Sequence, residues 1–155
     1  YPESIRTAME EHLVEGSRYA MDASGMVRVH FTVSPEHEKW FKEKLYAEGP
    51  ILENRYEIGL DVSFSFQKPH TDTIAVTPEN DLFRDDKGEL LFRPGGHGAL
   101  IENLNEMDAD IVFIKNIDNV VPEHLLETTV AYKKALAGLL ISLRNSVYGF
   151  LERLD

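Results

Sequence analysis

The sequence predicts an α/β fold, a three-layer sandwich in which a mostly parallel sheet lies between helices. Helical and strand-like patterns alternate along the 155 residues, enough for one domain. Met26–Val33 alternates apolar and polar residues, and Ser34-Pro35, a strong helix start, follows it directly. Ile111–Ile114 is an unbroken apolar run, which is typical of a central parallel strand that is covered on both faces.

Each element follows from its own local pattern of apolar spacing and of chain-breaking glycine and proline. No internal repeat, linker or low-complexity tract is evident. In chain order we expect a helix over Ser4–Ala20, a strand over Met26–Val33, a helix from Pro35 to about Ala47 that ends at Gly49-Pro50, one or two strands within Arg55–Gln67, a hairpin turn at Asp85–Gly88, a short helix over Ala99–Met107, a strand over Asp110–Asn116 and a long helix within Pro122–Leu154.

Composition excludes several classes of function. There are 27 acidic and 16 basic residues, a formal charge of −11, and no basic run offsets it, so we expect no nucleic-acid partner. The absence of cysteine excludes disulfides, thiolate zinc sites and cysteine nucleophiles, and it fits a cytoplasmic protein. No apolar run approaches the roughly 20 residues that span a bilayer, so we expect no membrane partner.

A glycine loop is the first candidate site. Arg93-Pro94-Gly95-Gly96-His97-Gly98 lies between a predicted strand and a predicted helix. Glycines let a ligand approach the backbone without meeting a Cβ, His97 could stack on or hydrogen-bond a ligand, and Arg93 could reach a phosphate. The spacing matches neither the dinucleotide fingerprint nor the Walker loop. A tight connection whose glycines only satisfy geometry is the alternative.

The second candidate follows the predicted strand over Asp110–Asn116. Ligands of open parallel sheets bind outside the carboxyl ends of strands. Asp118 is therefore placed to hold a Mg²⁺ ion that carries substrate phosphates, and Lys115 is placed to contact a phosphate. The alternative is that Asp118-Asn119 forms a local turn that caps the next helix.

The remaining polar candidates are less specific. Gln67 and Lys68 follow another predicted strand, where Lys68 could contact a phosphate, although a solvated loop is the simpler interpretation. His30 lies in an alternating strand and is interpreted as a core histidine whose hydrogen bonds are satisfied. No histidines are spaced as a metal-ligand pair, and no serine lies in a context that marks it as a nucleophile.

Two separated motifs carry a resemblance to known families. RPGGHGAL followed by DIVFIKNIDNVVP resembles the sugar nucleotidyltransferases of the UDP-sugar pyrophosphorylase type, which have a proline–glycine–histidine–glycine loop and an apolar strand that ends in Asp-Asn. The wider run from Gln67 to Pro122 is closer still to a bacterial family with no assigned function (domain of unknown function 4301). That resemblance covers essentially the whole chain.

The resemblance implies a nucleotide-diphospho-sugar transferase fold. Gly96, His97 and Gly98 would line a nucleotide pocket, Asp118 would contribute to metal and phosphate binding, and Gln67 would contact the base. It also implies a strand and a lysine-terminated glycine loop for the triphosphate, which nothing before Ser4 supplies, so we expect a fragment of a longer protein. The leading hypothesis is a nucleotidyltransferase-like domain that binds a nucleotide or nucleotide-sugar with Mg²⁺. The alternatives are a non-catalytic binding module and a structural domain.

Overall fold

The computed structural model describes residues 5–154 of the chain. In this part of the chain, four α-helices and four short strands alternate with loops and single turns of 3₁₀ helix. The helices are α1 (Ala8–Tyr19), α2 (Pro35–Tyr56), α3 (Ile101–Asn105) and α4 (Leu126–Leu151), and the strands are β1 (Met26–Thr32), β2 (Gly59–Ser65), β3 (Thr73–Ile74) and β4 (Phe92–Arg93).

The predicted β–turn–α unit is confirmed and continues into a second strand. β1 and β2 form a small parallel sheet, and α2 connects them. Backbone bonds at both ends of the pair fix its direction: the Gly59 N–H donates to the Gly25 carbonyl and the Val33 N–H donates to the Ser65 carbonyl, both at 2.9 Å. The chain is therefore a mixed α/β protein, as the alternation of patterns predicts.

The first helix begins later than predicted. Ser4, the expected start, lies outside the described residues, and α1 begins at Ala8 after the N-cap residue Thr7. The Thr7 side chain accepts a hydrogen bond from the Glu10 N–H, and the Glu10 carboxylate accepts one from the Thr7 N–H at 2.8 Å. This capping box satisfies two N–H groups that a helix start otherwise leaves without partners.

The predicted end of the second helix at Gly49-Pro50 is wrong, because α2 continues to Tyr56 with Pro50 inside it. A proline within a helix removes one hydrogen bond and costs about 3 kcal/mol. Leu52, in the turn after the proline, is buried, and its burial offsets part of that cost. The helix ends where Glu57 adopts a positive φ of 53°.

The chain divides into two compact units. Unit 1 comprises Tyr1–Val29, Glu43–Asp61 and Asp110–Asp155, and unit 2 comprises His30–Lys42 and Val62–Ala109. The buried apolar side chains of unit 1 are Met9, Leu13, Val14, Val27, Leu52 and Leu126. In unit 2, Phe31 packs against Phe41 and Phe64, with ring centroids 5.8 and 6.0 Å apart.

The strand predicted over Asp110–Asn116 is not formed. Residues 111–116 lie in no helix and pair with no strand among the described residues, and half-buried and exposed residues alternate over 111–114. Phe113 packs against Tyr19 with ring centroids 4.7 Å apart, whereas Ile114 is 66% exposed. The apolar run therefore buries one face only.

Unit 2 contains a repeat that the sequence patterns did not reveal. Residues 73–80 (TIAVTPEN), 81–88 (DLFRDDKG) and 89–96 (ELLFRPGG) are three consecutive eight-residue segments with the same pattern of backbone pairing, and we call each of them a copy. In each copy the second residue is bridged to the fourth residue of another copy. The bridged pairs are Ile74 with Phe92, Val76 with Leu82, and Arg84 with Leu90.

The three copies close into a ring, because the third residue of each copy bonds to the third residue of the next. The Phe83 N–H donates to the Ala75 carbonyl (2.9 Å), the Leu91 N–H donates to Phe83 (3.2 Å), and the Ala75 N–H donates to Leu91 (2.9 Å). The predicted hairpin turn at Asp85–Gly88 is confirmed as one corner of this ring. We call residues 73–96 the hairpin ring.

The predicted carboxy-terminal helix is confirmed as α4, which follows a 3₁₀ turn over Glu123–Leu125. Leu126 is its only buried residue, and many of its apolar side chains are more than half exposed, among them Leu136, Leu139 and Leu143. Even so, among the described residues no helix is both long and apolar enough to cross a membrane.

Candidate functional site

The glycine loop occupies the position of the third corner of the hairpin ring. In the first two copies, the fifth residue closes the corner: the Thr77 Oγ1 accepts from the N–H groups of Glu79 and Asp81 at 3.3 Å, and Asp85 accepts in the same way at 2.9 Å. The equivalent residue of the third copy is Arg93, which has no acceptor oxygen. This corner therefore opens into the loop that leads to α3.

The glycines of this loop have different structural roles. A Cβ on Gly95 would lie 2.9 Å from the Ala99 Cβ and 3.0 Å from the Thr71 carbonyl oxygen, so close packing requires a glycine there. A Cβ on Gly96 or Gly98 would meet nothing within 4 Å. Both have negative φ angles, so neither conformation nor packing among the described residues requires a glycine at 96 or 98.

His97 and Arg93, the two candidate side chains of the loop, are exposed. Neither of these side chains makes a hydrogen bond or an ion pair with a described residue. The loop thus offers two open glycine faces, one imidazole and one guanidinium. These groups could take up a flat ring and an anion without first breaking an internal contact.

Gln67 and Lys68 lie in the same unit as the glycine loop. Both already have partners: the Gln67 Nε2 donates to Asp72 at 2.9 Å, and the Lys68 Nζ lies 2.8 Å from the Glu106 carboxylate. The Lys68 side chain is one-third exposed, so its ammonium could exchange this carboxylate for a phosphate at little cost.

Three side-chain links connect the loop after β2 to α3 and its C-cap, and α3 follows the glycine loop. Lys68 pairs with Glu106, His70 lies 2.8 Å from the Glu102 carboxylate, and the buried Asn103 donates to the Phe66 carbonyl at 2.7 Å. The segment that contains Gln67 and Lys68 is therefore held against the helix that begins where the glycine loop ends.

Lys115 and Asp118, the other predicted site residues, belong to unit 1. Lys115 forms an ion pair with Glu15, whose side chain is 1% exposed. A phosphate at Lys115 would have to displace that carboxylate and leave it buried without a cation.

Asp118 is exposed, and its carboxylate accepts no hydrogen bond from a described residue. The N-cap residue of the following 3₁₀ turn is Pro122, which provides no side-chain cap, so Asp118 does not cap a helix. Within the described part of the chain, no group of three or more acidic, histidine or cysteine residues could hold a metal ion by itself. Asp118 is a single available carboxylate.

The buried carboxylates of α1 in unit 1 are paired with cations. α1 buries three glutamates, Glu10, Glu11 and Glu15, and each faces a cation. The Lys44 Nζ lies 3.2 Å from Glu10, the Arg6 Nη1 lies 3.7 Å from Glu11, and Lys115 pairs with Glu15.

Hydrogen bonds lower the pKa of two carboxylates in unit 1, Glu10 and Glu123. Burial alone would raise the pKa of Glu10, but hydrogen bonds from Thr7 and Lys44 outweigh it and lower that pKa. The pKa of Glu123 is lowered in the same way, since hydrogen bonds from Tyr56 and Arg6 outweigh burial. Burial and the adjacent Glu15 carboxylate raise the pKa of Tyr19.

One protein family, described as a domain of unknown function (DUF4301), matches residues 1–155. The chain belongs to this family. No curated protein matches the chain, and no solved structure matches it either.

Sequence reasoning missed two features near the candidate site. The first is the repeated backbone pairing of residues 73–80, 81–88 and 89–96, which the sequence does not signal because the aligned segments share few identical residues. The second feature is a polar face of the β1–β2 sheet, where His30 bonds to Ser63 and Ser65. Its signal was the period-two alternation of polar residues along both strands.

Proposed function

We propose that this chain carries the nucleotide-contacting part of a nucleotidyltransferase-like domain, with a nucleotide-diphospho-sugar transferase-like three-layer fold. It would bind a nucleotide or nucleotide-sugar together with Mg²⁺. The observation that carries the proposal is the glycine loop, in which Gly96 and Gly98 face open space beside an exposed His97 and an Arg93 without an internal partner. Glycines that the chain's own packing does not need are expected where another molecule approaches the backbone.

Different residues of the candidate site suit different parts of a nucleotide. The flat faces of Gly96 and Gly98 suit a base or sugar ring, against which His97 can stack or form a hydrogen bond. Arg93 suits a phosphate, because a guanidinium binds phosphate through two parallel hydrogen bonds. Lys68 provides a second cation, and the amide of Gln67 can pair with polar atoms of the base once it releases Asp72.

Asp118 suits Mg²⁺, because magnesium in nucleotide sites usually takes only one or two protein carboxylates and completes its shell with phosphates and water. Its carboxylate is exposed and has no competing internal bond. The metal would neutralise charge on the phosphates during in-line transfer, a reaction that asks the protein chiefly for positioning. Lys115 could bind a phosphate only by leaving Glu15, so Arg93 and Lys68 are better suited as phosphate ligands.

The test is calorimetric titration of the full-length protein with UTP, GTP and UDP-sugars, with and without Mg²⁺. We expect binding that Mg²⁺ strengthens. Arg93→Gln should weaken binding about ten-fold, a loss of about 1.4 kcal/mol. The matched control is Arg84→Gln in the preceding copy of the repeat, because the Arg84 guanidinium donates to the Gly88 carbonyl within its own turn. The proposal is wrong if the wild-type protein binds none of these ligands. It is also wrong if the Asp118→Ala and Arg93→Gln variants bind them as tightly as the wild-type protein does.

A non-catalytic binding module is the second candidate. The observation that favours it is the solitary carboxylate of Asp118, since residues 5–154 contain no metal-holding group of three. Release of pyrophosphate from UTP and a sugar 1-phosphate by the full-length protein separates the two candidates. If the protein binds UTP but releases no pyrophosphate, it is a non-catalytic binding module.

A further inference from the structure

A polar cluster occupies one face of the parallel β1–β2 pair, near the carboxyl ends of both strands. His30 and Thr32 come from the end of β1, and Ser63 and Ser65 come from the end of β2. Alternate residues of a strand face opposite sides of a sheet, and the neighbouring Phe31 packs away from this face among other aromatic rings. The carboxyl ends of parallel strands are the usual position for ligands in open α/β sheets.

Hydrogen bonds hold the His30 ring at both nitrogens. The distance from Nδ1 to the Ser63 Oγ is 2.7 Å, and the distance from Nε2 to the Ser65 Oγ is 2.8 Å. The two serines differ in their surroundings, because Ser63 is exposed whereas Ser65 is half-buried.

Asn103 fixes the inner serine. This side chain is buried, and its Nδ2 donates to the Ser65 Oγ at 2.8 Å and to the Phe66 carbonyl at 2.7 Å. The Ser65 Oγ also lies 3.4 Å from the Thr32 hydroxyl, which can accept a hydrogen bond from the Ser65 O–H. In that arrangement the Ser65 Oγ accepts a hydrogen bond from the Nε2–H of His30, and the Nδ1 lone pair of His30 is directed at Ser63.

We propose that Ser63 is a nucleophile towards activated acyl esters and that His30 is its general base, with Ser65 and Asn103 as positioning residues. The Ser63 Oγ attacks the ester carbonyl carbon while its proton passes to the His30 Nδ1. The tetrahedral intermediate then expels the alcohol, which takes that proton from His30, and an acyl group remains on Ser63. Attack by water, again with His30 as base, releases the carboxylic acid and restores the serine.

The geometry matches what such chemistry needs: a nucleophile within hydrogen-bond distance of a base, and a third group that orients the base. Burial lowers the pKa of His30, which keeps the imidazole neutral and able to accept a proton near pH 7. Both N–H groups of the Asn103 amide are already used, so this amide provides no oxyanion donor. That limits the substrate class to esters with good leaving groups, for which a general base contributes about 10²- to 10⁴-fold. This activity goes beyond nucleotide binding and does not depend on it.

The experiment treats the full-length protein with p-nitrophenyl acetate and follows p-nitrophenolate release, then locates the acetyl group by peptide mass spectrometry. We expect acetylation of Ser63 that Ser63→Ala abolishes and that His30→Gln slows about 100-fold or more. Gln can still form hydrogen bonds with both serines but cannot take up the proton. Ser146→Ala is the matched control, since Ser146 is an exposed serine that bonds to the Ser142 carbonyl and has no imidazole partner.

The positioning role has its own readout. Ser65→Ala should slow acetylation of Ser63, and Ser65→Thr, which restores a hydroxyl, should recover it. A purely structural role would lower the melting temperature without changing the acetylation rate at 25 °C. The proposal is overturned if the wild-type protein gains no acetyl group on Ser63, a result that requires no variant to fold. It is also overturned if a folded His30→Gln variant is acetylated there at the wild-type rate.

Discussion

The charged side chains of the α1 region in unit 1 and of the glycine loop in unit 2 differ in burial and in pairing. α1 buries three glutamates, and each of them faces a cation. The glycine loop leaves Arg93 and His97 exposed and without internal partners among the described residues. Buried charges must be paired because their desolvation is costly, whereas an exposed cation stays hydrated until a ligand arrives. The paired region is therefore suited to stability and the open one to binding.

Lys115 and Arg93 make this difference concrete. Both are cations that follow apolar segments, but the Lys115 ammonium is held by the buried Glu15. A ligand phosphate at Lys115 would compete with a fixed internal carboxylate, while a phosphate at Arg93 would compete only with water. Four measurements test this difference between the two regions.

The largest effect is expected from Glu15→Gln. The substitution leaves Lys115, whose side chain is 19% exposed, without its carboxylate partner, and breaking a pair of this kind costs about 3 kcal/mol. Urea unfolding monitored by circular dichroism measures the change in the free energy of unfolding. A loss below about 0.5 kcal/mol would mean that the pair contributes no more than a surface pair does, and the contrast between the regions would fail.

The second prediction separates the glycines of the loop. Gly95→Ala introduces a Cβ 2.9 Å from Ala99 and 3.0 Å from the Thr71 carbonyl, and it should lower the free energy of unfolding by about 1–3 kcal/mol. Gly98→Ala is the matched control, because its Cβ meets nothing within 4 Å, and stability should change by less than about 0.5 kcal/mol. Gly98→Ala should instead weaken UTP binding in calorimetry. Equal destabilisation by both substitutions would contradict this division of roles.

The third prediction concerns how the free energy of unfolding depends on pH in the acid range. The lowered pKa of Glu10 means that the folded state holds the ionised carboxylate more strongly than the unfolded state does. Its contribution is therefore present above the ordinary value of about 4.5 and is lost as the pH falls through the lowered folded pKa. Urea unfolding from pH 7 to pH 3 should show stability falling below about pH 4.5. Glu10→Gln should flatten that fall, and an unchanged slope would contradict the assignment.

The smallest effect is expected at the exposed Lys68–Glu106 pair. Glu106→Gln should change the free energy of unfolding by less than about 1 kcal/mol, because both side chains are partly solvated. The same substitution frees Lys68 and should strengthen UTP binding slightly in calorimetry. A stability loss comparable to that of Glu15→Gln would show that unit 2 also depends on its charges.

The sequence predicted those elements whose signals are local. Ser34-Pro35 marked the start of α2, and period-two alternation located β1 and β2. It failed where burial by distant residues decides the outcome. α2 continues through Pro50, and the apolar run at Ile111–Ile114 packs on one face because no described strand pairs with it.

In the candidate site, too, local features could be predicted from the sequence, whereas contacts between distant residues could not. The glycine loop and Asp118 could be singled out from residue types and spacing, but the pairing of Lys115 with Glu15 could not, because 100 residues separate them. His30 could be interpreted as a satisfied histidine, yet only the parallel pairing of β1 and β2 shows that its partners are two serines.

The hairpin ring has a consequence for cooperativity. The bonds among Ala75, Phe83 and Leu91 form a cycle with no first or last member, so opening one copy removes a partner from each of the other two. Their three amide protons should exchange with solvent at one common free energy of opening, as a single cooperative unit. A break in the backbone at the exposed tip of an outer turn, at Glu79 or at Lys87, would leave the cycle intact. Because backbone hydrogen bonds close the ring, it can remain folded after the chain is cut in one of these turns.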